Sequence, residues 1–221
     1  MNRLFFTVTN DLTYDQRMIR ICSSLASAGY KVTLTGRKLP ESKPLTNQPF
    51  QQKRIFCFFK KGKAFYLEYN VRLFFFLLFK KSDLICAIDL DTILPVYFVS
   101  KIKGTKRVYD AHELFCEMKE VVTRPRIYRI WKRVEKYTVP KFTNGYTVSH
   151  PIAEEFKKMY GVDYPVISNV PVLRALDIPL KKEKYILYQG AVNEGRCFES
   201  LIPAMKEIDA RLVIAGDGNF M

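Results

Sequence analysis

Short apolar runs alternate with helix-length amphipathic stretches along almost the whole chain, and that alternation confines the fold to parallel βαβ units. The runs at Leu4–Val8, Val32–Thr35, Arg54–Phe58, Leu84–Ala87, Arg107–Tyr109, Gly145–Val148, Val166–Ile167, Tyr185–Tyr188 and Leu212–Ala215 predict strands. Helical periodicity falls over Asp15–Ala28, Ala64–Phe79, Thr92–Ile102, Arg126–Val139, Ile152–Met159 and Phe198–Ile208. In the first of these helices Met18, Ile21, Cys22 and Leu25 share a face, and Gly29 supplies a left-handed stop. The pattern predicts an α/β fold, a doubly wound parallel sheet of Rossmann type, over residues 1–170. Residues 171–184 hold turn formers and two prolines with no period, which suits a linker. Residues 185–221 restart as strand, helix and strand, the opening of an incomplete second Rossmann-like domain.

Composition narrows the setting. The five cysteines are scattered and never form a C-x-x-C pair, which disfavours a disulfide framework or a zinc site and favours a reducing compartment. The longest apolar run, Leu73–Phe79, is far short of the roughly 18 residues of a spanning helix, and the N-terminus reads as a strand rather than a signal peptide. The expected location is the cytoplasm. A formal charge of +14 favours a polyanion or an anionic membrane as neighbour.

Four segments carry candidate chemistry. The turn after the first strand, Asn10 to Arg17, has no glycine, which excludes a dinucleotide fingerprint there. Asn10, Asp11 and Tyr14 offer hydrogen bonds to a hydroxyl-rich ligand, or the segment simply caps the next helix. The run Val108-Tyr109-Asp110-Ala111-His112-Glu113 reads as a buried strand opening into a polar loop. Three ionisable groups at a strand's carboxyl end are costly to desolvate unless a ligand or partner uses them. Between Arg126 and Val139, one face carries Ile127, Ile130, Trp131, Val134, Tyr137 and Thr138, and the other Arg126, Arg129, Lys132, Arg133 and Lys136. Such a helix packs on the sheet by its apolar side, or lies on an anionic bilayer, with Lys60, Lys61, Lys63, Lys80 and Lys81 extending the basic patch. Finally, Gly190 to Arg196 follows a strand and opens a helix, a turn able to meet a diphosphate. No nucleophile elbow, acid–base pair or metal-ligand spacing is evident. His150 reads as a helix-start residue.

Taken in order, these pieces resemble glycosyltransferases of the two-Rossmann-domain GT-B kind, close to glycosyltransferase family 4. The matching segments are Asp15-Gln16-Arg17 with Arg20, Tyr109–Glu113, Thr147-Val148-Ser149, Ile167–Pro171, Leu187–Ala191 with Gly195-Arg196, and Leu212–Gly218. The resemblance implies an N-terminal domain that holds the acceptor and a C-terminal domain that holds a nucleotide sugar. It implies transfer to an acceptor hydroxyl with retention, without a metal or other cofactor. His112 matches the histidine that reaches the donor sugar, and Arg196 with Gly190 matches the diphosphate site. Asn10, Asp11, Tyr14 and Glu113 would surround the acceptor, a glycan or lipid-linked molecule presented at the inner face of the cell membrane. The expected role is in cell-surface polysaccharide or glycolipid synthesis.

Two departures stand out. Gly190-Ala191 replaces the family's frequent Gly-Arg, and the glutamates that grip the donor would fall beyond Met221, so the 221 residues alone are expected to transfer sugar weakly. A nucleotide-sugar epimerase of the same fold, or a non-catalytic binding module, are the alternatives. Nucleic-acid binding comes third: the charge permits it, but no recognition motif is present, so no nucleic-acid partner is expected.

Overall fold

The computed structural model describes residues 2–171, 173, 184–218 and 220. The chain divides into two compact units, Met1–Val170 and Pro171–Met221. Most of the expected linker, 171–184, lies outside the described residues.

The first unit is built on six parallel strands: β1 (Arg3–Thr7), β2 (Lys31–Lys38), β3 (Gln51–Phe56), β4 (Leu84–Ile88), β5 (Lys106–Ala111) and β6 (Gly145–Thr147), in the order β3-β2-β1-β4-β5-β6. The connecting helices are α1 (Gln16–Ser27), α2 (Gly62–Leu78), α3 (Ile93–Lys103), the short α4 (Lys119–Val122), α5 (Pro125–Thr138) and α6 (His150–Tyr160). The alternation of strand side chains creates two cores. Leu4, Phe6, Val8, Cys86 and Ile88 meet Met18 and Cys22 of α1 on one face of the sheet. Phe5, Ile85, Ala87 and Tyr109 meet Tyr69, Leu73, Val96 and Phe156 on the other. Burying both faces explains why the strands read as near-continuous apolar runs.

Local chemistry sets the ends of the helices. The Asp15 carboxylate accepts the Met18 amide at 2.9 Å and caps α1. Gly104 and Gly161 close α3 and α6 in left-handed conformation. His150 is the first residue of α6, as its sequence position predicts.

Three expectations are corrected. β3 begins at Gln51 rather than Arg54, because its first residues are polar and occupy a sheet edge, where an apolar search finds nothing. Val166–Ile167 makes only an isolated bridge to Thr147, since Pro165 has no amide to continue a ladder. The last helix stops at Ala204, with Pro203 in its final turn.

The second unit pairs β7 (Tyr185–Gln189) in parallel with β8 (Arg211–Ala215), joined through α7 (Phe198–Ala204). A Cβ on Gly216 would stand 1.8 Å from the Gly190 carbonyl oxygen, so only glycine lets these two turns touch. All five cysteines are free thiols. Among the described residues, no helix is long and apolar enough to cross a membrane.

Candidate functional site

The strand order reverses between β1 and β4, the position at which open α/β sheets leave a crevice outside the strand ends. Hydroxyls of Thr7 and Thr92, 3.0 Å apart, tie this point together through the carbonyls of Cys86 and Ile88. A cleft of about 500 Å³ opens above it. Its walls are residues 8–11 after β1, Tyr14–Met18 at the start of α1, Ile88, Asp89 and Asp91 after β4, and His112 after β5.

His112 faces this cleft with 30% of its side chain exposed. Its Nδ1 lies 3.2 Å from Asp89 Oδ1 and 4.0 Å from Asp110 Oδ1. Neither Nδ1 nor Asp89 Oδ1 has a hydrogen-bond partner. Burial, aided by Arg17 and opposed by Asp110, holds the imidazole below its ordinary value. Burial and then the carboxylates of Asp91, Glu113 and Asp110 push Asp89 well above the carboxylate range. Both directions agree: burial drives each group towards its uncharged form, which leaves Nε2 available to a ligand.

Asp89 is also strained. Its φ of 58° and ψ of 175° lie in a region that glycine tolerates and a side chain resists. Its amide donates to the Asp110 carbonyl at 3.1 Å, which pins it there. Two residues on, Asp91 accepts from the Thr9 hydroxyl at 2.5 Å. Burial raises its carboxyl to about 7, against the Thr9 bond and with help from Glu113.

Asp110 serves a different purpose. It is fully buried, salt-bridged to Arg17 at 2.5 Å and hydrogen-bonded by the Tyr146 hydroxyl at 2.8 Å. It clamps β5 to α1 and β6 beneath the cleft.

The other expected residues divide. Asn10, Asp11 and Tyr14 line the cleft, but each also has local work. Asn10 donates to Asp15 at 2.6 Å and accepts the Leu12 amide. Burial pushes Asp11 up, yet bonds from Thr13 and Ser42 and the charge of Arg54 outweigh it and hold it below the usual range. Tyr14 is exposed and accepts from Lys43 at 2.7 Å. Glu113 lies outside the cleft wall, although its carboxylate, His112 and Asp89 bring ligand-type atoms within 4.8 Å of one another. That spacing is open to a cation as well as to a shared proton.

On α5, Arg126, Arg129, Arg133 and Lys136 are exposed. Lys132 does not join them. It turns inward to Glu135 at 2.9 Å and Glu117 at 3.0 Å, and the Tyr160 hydroxyl donates to Glu135 as well. A buried Glu135 requires that cation. In the second unit, Gly190 ends β7 and Arg196 lies exposed in the turn before α7. The helix begins only at Phe198 and spans seven residues.

Sequence reading missed Asp89, Asp91 and Thr9. The available signal was the pair of aspartates placed directly after the apolar run Leu84–Ile88, at the strand's carboxyl end.

No family profile matches the chain, and no curated protein matches it in sequence. Solved structures do. Sucrose-phosphate synthase from Thermosynechococcus elongatus superposes with a TM-score of 0.69 at 14% identity, covering 97% of this chain and 62% of its own. The lipopolysaccharide outer core galactosyltransferase WaaB gives 0.60 at 13%, covering 100% and 62%. Arabidopsis thaliana UGT89C1, complexed with UDP-L-rhamnose, gives 0.61 at 10%, covering 99% and 68%. At such identities the likeness is one of fold, and the fold is that of the GT-B glycosyltransferases, with the six-stranded unit as the N-terminal domain. The chain spans 62% of the length of the first two.

Proposed function

We propose that the chain is part of a glycosyltransferase that moves a sugar from a nucleotide-sugar donor to a hydroxyl of a glycan or lipid-linked acceptor, with retention at the anomeric carbon. The observation that carries this reading is His112, held at the switch-point cleft with Asp89 against its Nδ1. In that setting a neutral imidazole offers Nε2 to a sugar hydroxyl, and fixed dipoles in a partly dry site stabilise charge as the glycosidic bond loosens. Arg196, beside Gly190, would meet the departing diphosphate, and Asn10, Asp11, Tyr14 and Glu113 would border the acceptor. The UDP-L-rhamnose complex of UGT89C1 supports the class of donor. No metal is assigned a role.

The membrane-facing surface combines two helices. Arg126, Arg129, Arg133 and Lys136 of α5 are exposed, and so is an apolar stripe on α2 made by Leu67, Val71 and Phe75 and continued by Phe79 just past its end. Apolar side chains at four-residue spacing beside solvated cations suit the surface of an anionic bilayer. That surface supports a role in cell-surface polysaccharide or glycolipid synthesis.

The test is label transfer from a panel of radiolabelled nucleotide sugars into membrane extract, using the chain and any longer product that contains it. We expect weak transfer by the 221 residues and stronger transfer by any longer product. His112→Ala should lower either rate by about 10²-fold without altering the melting profile. If no nucleotide sugar donates under any of these conditions, the reading is wrong.

A further inference from the structure

Beside the polar cleft lies a second cavity, of about 660 Å³, walled by α2, α4 and α5. Tyr66, Leu67, Leu94, Ile127, Ile130 and Trp131 give it an apolar lining, and Lys63 and Arg124 add two cations against Glu120. Trp131 is held edge-on by Tyr66 at 5.5 Å and by Phe115 at 5.1 Å. The lining of this cavity includes Asp91, which is also part of the wall of the cleft. Groove and cleft therefore share a wall residue.

Resting on the glycosyltransferase reading, we propose that this groove holds the hydrocarbon chain of one acceptor molecule, an amphipathic lipid with an anionic headgroup. The acceptor is thereby a lipid rather than a soluble glycan. The size falls within the range of ligand pockets, roughly 300–1,000 Å³. Water gains nothing from an aromatic and aliphatic wall, whereas an alkyl or prenyl chain buries it. Lys63 and Arg124, with Arg126 and Arg129 beyond them, match a phosphate at the chain's head.

The chain's single tryptophan makes the site observable. Monomeric decyl phosphate and its terminally brominated analogue serve as probes, with no sugar donor present. The brominated probe should quench Trp131 saturably, and plain decyl phosphate should displace it. Leu67→Glu and Ile130→Glu, both at positions exposed enough to accept a charge, should each weaken binding about tenfold. Lys63→Ala with Arg124→Ala should weaken decyl phosphate but leave decanol unaffected, which a misfolded variant would not do. His112→Ala should bind normally. The proposal fails if quenching does not saturate, if the substitutions leave it unchanged, or if anionic phosphatidylglycerol vesicles quench while the monomer does not. Saturable binding without sugar transfer would sink only the glycosyltransferase reading. Transfer to a soluble glycan by a chain that ignores decyl phosphate would sink only the groove.

Discussion

Inside the first unit, Asp110 and Glu135 are buried beside a cation each, whereas Asp89 and Asp91 sit at the edge of the same sheet facing an imidazole and a threonine hydroxyl. Arg17 stands 2.5 Å from Asp110, and Lys132 stands 2.9 Å from Glu135. Both pairs join elements: α1 to β5, and α5 to the Tyr160 end of α6 through the shared carboxylate. They are the neutralised charges of a fold. Asp89 and Asp91 instead have their carboxyls driven upward by burial and by one another's neighbours. A site that leaves acids in that condition and adds backbone strain at Asp89 lowers the stability of the native state.

The sharpest way to break this contrast is Lys132→Ala. Removing the cation leaves the buried Glu135 carboxylate with the Tyr160 hydroxyl but no countercharge, which costs about 3–5 kcal/mol for a buried pair. We expect the urea midpoint to fall steeply with the slope unchanged, and α5 to lose protection in hydrogen exchange. A drop of under about 1 kcal/mol would mean that the pair is no more than a surface contact.

Asp91→Asn should move stability the other way. A carboxyl raised from 3.8 to about 7 on folding binds protons that the unfolded chain has released. Its penalty is therefore absent below pH 4, grows as pH rises towards 7, and is complete above that. Three units correspond to about 4 kcal/mol, and the amide variant gives back about 1 through a poorer hydrogen bond with its own backbone. The variant should fall about 1 kcal/mol below the parent at pH 3 and exceed it by about 3 kcal/mol at pH 8. The same difference at both pH values would show that Asp91 is already ionised at no cost.

How much of this was legible in sequence depends on the range of the forces involved. Apolar runs and helical periods are local, and they mark the sheet, its helices and the His112 loop. The angular pattern of α5 separates its faces but assigns Lys132 to solvent. Nothing within the helix says that Tyr160 and Glu117 close over that flank. Asp89 and Asp91 were overlooked because two aspartates before a helix look like caps, and only the crossing from β1 to β4 brings Thr9 and His112 to them. The apolar face of α5 is a related case. Its sequence suits packing on the sheet, yet Ile127 and Ile130 border an open groove.

Asp89→Gly gives the smallest effect and separates strain from charge. Glycine tolerates the observed φ and ψ, so relief of about 1–3 kcal/mol is offset by about 1 kcal/mol of extra backbone entropy in the unfolded chain. Relative to Asp89→Asn, which removes the same carboxyl, we expect a net gain near 1 kcal/mol at neutral pH, read as a shifted urea midpoint. Asp89→Asn keeps the strain while removing the charge, so its backbone contribution should be unchanged. In both variants Nδ1 of His112 loses the carboxyl that faces it, and the imidazole's titration, followed by NMR, should shift alike. A glycine variant less stable than the asparagine one would show that the backbone at 89 is unstrained, and that the contrast between the two kinds of acid rests on electrostatics alone.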